Sequence, residues 1–170
     1  MYKFIKYSFI IALIFTTSCK KNLPDIGGTT AQKVANEWWV TFTINGVDTF
    51  KLGHVKIATY NTANNNNEIW TDDLQNGYVF KSKATVDYNA LTFSAANSAN
   101  EYFDPKDTTN PAPPPQTVTI ENGKVLLGVG KSKAGNVADS IYMEAKFSDD
   151  PTTTYIISGH SRTRFIEDEY

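Results

Sequence analysis

His160 is one of only two histidines in this 170-residue chain, and it stands between Ser158 and Ser161 in the stretch YIISGHSRTRFIEDEY, residues 155–170. A serine beside a histidine can become a nucleophile, with the imidazole accepting the hydroxyl proton. Asp139 and Ser140 offer a second hydroxyl and an acid. One reading is therefore a lipid or ester hydrolase using His160 with Ser158, Ser161 or Ser140. Parity weighs against it, because consecutive residues of a strand point to opposite faces, and Ser161 then turns away from His160. The run Gly159-His160-Ser161-Arg162-Thr163 also carries Thr163 where a nucleophile elbow has its second glycine, and no helix pattern follows. No residue is assigned a catalytic role on these grounds. The other histidine, His54, would have to meet His160 and Asp72 or Asp73 to hold a metal, and no local ligand spacing supports that. Neither a metal nor a cofactor is expected.

The elements that must carry these residues read as strands. Trp38, Val40, Phe42 and Ile44 alternate with polar or smaller neighbours, and Asn45-Gly46 marks a tight turn. A returning strand is expected over 47–52, and a third through Val55, Ile57 and Thr59. Asn76-Gly77 opens a strand that places Tyr78, Phe80, Ala84 and Val86 on one parity. Asn122-Gly123 reads as a hairpin turn between strands over 117–121 and 124–129. Two further strands run over 137–147 and 154–166, while the proline-rich stretch 97–116, centred on residues 105–115, breaks the rhythm as a long loop. No apolar stripe at helical spacing appears after the N-terminal segment. The pattern predicts an all-β, single-domain antiparallel barrel or sandwich of about 8–10 strands.

The first residues are separate. Lys3 and Lys6 precede the apolar stretch SFIIALIF, which is short for a membrane span and right for a secretory signal. It ends in Thr16-Thr17-Ser18-Cys19, the only cysteine. A small residue before a lone cysteine at this place resembles a bacterial lipobox. The expected division is a lipoprotein signal over 1–18, a lipidated flexible tether over 19–33 and the barrel domain over 34–170. Lipid on Cys19 would anchor the chain in the bacterial envelope, facing the periplasm or on the outer-membrane surface. The net charge of −2 and the lack of a basic block exclude nucleic acid as a natural partner.

Several blocks in order resemble one family: Asn36-Glu37-Trp38-Trp39-Val40, Ile69-Trp70-Thr71-Asp72-Asp73, Glu121-Asn122-Gly123-Lys124-Val125, Asp139-Ser140-Ile141-Tyr142, and Ile157-Ser158-Gly159-His160. They are similar to the lipid-binding putative hydrolases, lipoproteins of Bacteroidetes. The resemblance implies a lipocalin-like barrel and a lipid-type ligand, and it carries over no catalytic residue. The relation to lipocalins also suggests that Arg162 or Arg164 covers Trp38 with a cation–π contact.

The expected function is thus binding of a small hydrophobic or lipid-like molecule inside the barrel rather than catalysis. Trp38, Phe42, Phe80, Met143, Tyr155, Ile157 and Phe165 are the expected lining, since they fall on the apolar parity of their strands. The remaining alternative is a carbohydrate-binding or structural accessory protein, with Trp39 and Trp70 as exposed stacking platforms.

Overall fold

The structure is a computed structural model that describes residues 28–170, so the expected signal, Cys19 and most of the expected tether lie outside the described residues. Eight strands follow one another: β1 Asn36–Thr43, β2 Val55–Asn61, β3 Glu68–Asp72, β4 Lys81–Asp87, β5 Thr92–Ala99, β6 Thr117–Lys131, β7 Val137–Phe147 and β8 Asp150–Ser161. Each pairs antiparallel with the next, and β8 returns to β1 with Ile157 opposite Phe42 and Ser161 opposite Trp38, closing the barrel. Closure leaves no exposed sheet edge. In β4 every second residue is buried, which is the alternation of a strand with one face in a core and one in water.

The two expected hairpins, at Asn45-Gly46 and at Asn122-Gly123, resolve differently. After the Asn45-Gly46 turn, whose residues both have positive φ, the chain makes only the Ile44–Val47 bridge. Asp48 then accepts from the amides of Leu52 and Gly53 and bends 47–52 into a loop instead of a strand. Asn122-Gly123 is no hairpin turn either. β6 runs straight through it with a register shift against β7 between Glu121 and Lys124. A β-bulge accommodates the positive φ of Asn122 as well as a turn does.

Up-and-down order sends the loops alternately to the two ends. Residues 44–54, 73–80, 100–116 and 148–149 gather at one end, the mouth. At the other end a 3₁₀ turn, Thr30–Lys33, drives Ala31 and the adjoining Val34 into the barrel, both fully buried. Four residues expected in the tether thus belong to the fold. Trp38 Nε1 donates to Thr59 Oγ1 at 2.8 Å, and that hydroxyl donates to the Val34 carbonyl. Between the ends, Trp38, Phe80, Met143, Phe147 and Ile157 fill the barrel with side chains.

β8 stops at Ser161 instead of continuing to Ile166. Arg162 turns to Glu37 and to Glu169, each at 2.7 Å, and does not lie over Trp38. The chain then leaves the sheet, so Phe165, expected to point inward, is 61 % exposed. Asp168, fully buried, accepts from the Ala134 amide and the Thr163 hydroxyl and fastens this tail to the β6–β7 turn.

Candidate functional site

The mouth is built by its loops. In 73–80 the buried Asp73 carboxylate accepts from the amides of Gln75, Val79 and Phe80 at 2.9, 2.6 and 3.0 Å. Burial pushes its pKa up, and these donors pull the other way. Held so, the loop lays Tyr78 on Phe147, with ring centroids 3.7 Å apart and planes within 2°. The proline-rich loop is fastened at both ends by Asn100, which donates to the carbonyls of Val79 and Pro115 and accepts from the Lys81 amide. The 44–54 loop swings Phe50 and Leu52 over the same barrel end, where they remain partly in water at 51 % and 38 % exposure.

Between these loops lies an apolar cleft of about 610 Å³. Its floor is Phe42 and Tyr155, its walls are Ile44, Tyr78 and Val79, and its lip is Phe50 and Leu52. A single charged group, Asp150, enters the lining. Tyr155 donates its hydroxyl to Asp150 Oδ2 at 2.8 Å, and Thr153 donates to Oδ1 at 3.0 Å. These hydroxyls, Thr153 first, hold the Asp150 carboxyl below its ordinary pKa, while burial chiefly raises that of Tyr155. Carboxylate and phenol therefore stay in their ordinary charged and neutral forms at neutral pH. A concave apolar site with one placed polar group suits an amphipathic ligand, and its volume lies in the range of small-molecule sites, about 300–1,000 Å³.

Of the expected lining, Phe42 and Tyr155 reach the cleft. Trp38, Phe80, Met143 and Ile157 are packed core beneath it, and Phe165 lies outside the barrel. Phe50, Leu52, Tyr78 and Asp150 were absent from the expectation. Phe50 and Leu52, expected on a strand over 47–52, and Tyr78, expected on a strand opening at Asn76-Gly77, sit in loops, and Asp150 is a strand's first residue. Apolar residues stranded in a polar loop were the available clue.

The hydrolase candidates sit elsewhere. His160 is five residues along β8 from Tyr155, about 16 Å toward the closed end at 3.2–3.4 Å per residue. Its Nδ1 lies 3.0 Å from the Ser161 carbonyl oxygen, an acceptor only, so this nitrogen carries the proton. Nε2 lies 3.3 Å from the Tyr170 hydroxyl. Ser140 is the cross-strand neighbour of His160, yet its hydroxyl donates to the Gly159 carbonyl at 2.9 Å. Ser161 Oγ accepts from the Asp139 amide, the Asp139 carboxylate accepts from the Gly128 amide, and Ser158 pairs across the ladder with Tyr142.

The two histidines do converge, around Tyr170, whose ring stacks on His54 at 3.9 Å. Asp72 and Asp73 are not with them: Asp72 accepts from the hydroxyls of Tyr60 and Tyr102. Among the described residues no group of three or more His, Cys, Asp or Glu is placed to hold a metal ion.

Neither tryptophan is a free platform. Trp39 meets the edge of Tyr170 at 5.4 Å, and the Trp70 face carries Lys81 and Lys83 at 5.0 and 5.2 Å. A second groove of about 620 Å³ crosses the outer surface of β4–β7, but most residues along it, among them Asp87, Asn122, Lys124 and Glu144, are polar or charged, and the face of its Tyr142 is occupied by Lys124.

No curated protein matches this chain. The model of the family described as lipid-binding putative hydrolase matches residues 23–166, nearly the whole sequence and all eight strands. The chain belongs to the lipid-binding putative hydrolase family.

Proposed function

We propose that the protein is a lipid-anchored binding protein of the bacterial envelope that takes a small hydrophobic or lipid-like molecule at the barrel mouth. The observation that carries this reading is the apolar cleft of about 610 Å³, with Phe50 and Leu52 half in water above Phe42 and Tyr155. A ligand there would cover apolar surface that water now meets, at about 25 cal/mol for each Å² removed. Family membership supports the ligand class. The filled barrel confines the ligand to the mouth, so it enters from the end instead of threading the interior.

The anchor belongs to the same reading. The described chain enters the fold at the closed end, through the turn Thr30–Lys33. A lipid on Cys19 would tether that end and leave the mouth facing away from the bilayer. Labelled palmitate incorporated by wild type, lost in Cys19→Ala along with membrane fractionation, is the expected result. A Cys19→Ala protein that stays in the membrane fraction contradicts it.

Binding is tested by titrating the neutral fluorophore N-phenyl-1-naphthylamine and displacing it with a monoacylglycerol. Wild type binds and is displaced, while Leu52→Arg, a change at the exposed lip, loses binding and keeps its melting temperature. Absence of binding by wild type, or equal binding by Leu52→Arg, removes the mouth as the site.

A further inference from the structure

We propose that the mouth selects a cationic amphiphile, an apolar chain ending in an ammonium or quaternary ammonium group that sits on Asp150 among the rings of Phe50, Tyr78 and Tyr155. The inference rests on the mouth being the binding site and adds the charge of the ligand.

Three observations point the same way. The rings border one volume: Phe50 lies parallel to Tyr155 at 6.1 Å and 16°, and Tyr78, one face of which lies on Phe147, meets Tyr155 edge-on at 4.9 Å and 65°. Aromatic faces arranged around a small volume attract cations through their quadrupoles, and methylated ammonium groups suit them best. Next, the one formal charge in the lining is the Asp150 carboxylate, ordered by two hydroxyl donors and matched by no cation. The ion pairs among the described residues join Lys146 to Glu121, Arg162 to Glu37 and Glu169, and Arg164 to Glu37. None reaches Asp150, whose remaining lone pairs can meet a ligand cation.

The third observation is the rim. Beside Asp150 the four mouth loops carry Asp48, Glu101, Asp104, Asp107 and Asp149 in contact with water against Lys51 and Lys106, with Lys81 at the first residue of β4. An acidic rim around a low-dielectric cleft draws cations in and repels carboxylate or phosphate head groups. A free fatty acid would therefore bring its charge to the wrong place. A neutral lipid would gain the apolar contacts and leave the carboxylate unmatched.

Calorimetry with three probes of equal chain length, each below its micellar concentration, tests this: dodecyltrimethylammonium, the neutral monododecanoylglycerol and dodecanoate. The expected order is cation, then neutral, then anion, with the cation about tenfold tighter than the neutral probe, the scale of a partly desolvated cation–π and ionic contact. Asp150→Asn should cut the cation's advantage over the neutral probe severalfold. A readout on wild type alone guards against a misfolded variant: added salt should weaken the cation and leave the neutral probe unchanged. Dodecanoate binding as tightly as the cation, a cation preference undiminished by Asp150→Asn, or salt-independent cation binding overturns the proposal. Binding by none of the three overturns the mouth as a site altogether, and the proposal with it.

Discussion

Gly77 rests directly on the ring of Phe42, so close that a β-carbon at Gly77 would stand 2.5 Å from Phe42 Cζ. The contact joins the 73–80 loop to the cleft floor. Gly77→Ala must move the ring or lift the loop, and overpacking of this kind costs about 1–3 kcal/mol. Thermal unfolding should show that loss, and naphthylamine titration should show weaker binding as the floor is displaced. Unchanged stability with unchanged affinity would mean that the loop does not sit where it is described.

At the opposite end, Thr59 links Trp38 Nε1 to the Val34 carbonyl. Thr59→Val keeps the shape and removes both hydrogen bonds. Each buried group left unpaired costs about 1–3 kcal/mol. Denaturant unfolding should register the loss while mouth affinity stays constant. A change in affinity of the same size would show the two ends to be coupled.

Acid should act through Asp168. Hydrogen bonding by Ser132 and then Thr163 holds its carboxyl at about 2, below its ordinary 3.8. A pKa lowered on folding stabilises the folded state above 3.8, and the contribution is lost as pH falls from there toward 2. Urea midpoints measured across that window should drop more steeply in wild type than in Asp168→Asn. Parallel curves would place the acid sensitivity elsewhere.

Gly159 is needed for a different reason from Gly77. A β-carbon there would collide with the Trp39 carbonyl oxygen and lie 2.7 Å from Val40 Cα, both backbone atoms that cannot swing aside. Gly159 faces Val40 across the β1–β8 seam. Gly159→Ala should therefore open the barrel at its closure, seen as lost amide-exchange protection confined first to β1 and β8. Protection equal to wild type would contradict the geometry.

What could be read in the sequence follows from where local rules suffice. β1, β4 and β7 alternate because one face meets the core, and Asn45-Gly46 is a turn because both residues take positive φ. Asn122-Gly123 shows the same dipeptide doing another job, and only the register of the neighbouring strands tells bulge from turn. The end of β8 was invisible for a similar reason. Thr163 and Phe165 continue the alternation, but Arg162 reaches Glu37, 125 residues away, and turns the chain out of the sheet. The cleft was half legible. Phe42 and Tyr155 lie on strands and obey parity, whereas Phe50, Leu52 and Tyr78 are brought over the mouth by the carboxylates of Asp48 and Asp73 holding loop amides.

The most direct test of the central claim is where the ligand lands. Isotope-labelled protein titrated with monododecanoylglycerol and followed by NMR should show concentration-dependent shifts at Phe42, Phe50, Leu52, Tyr78 and Tyr155, with His160 and Tyr142 unmoved. Shifts clustered at the outer groove around Tyr142 or at the His160–Tyr170 contact, or no shifts at all, would contradict it.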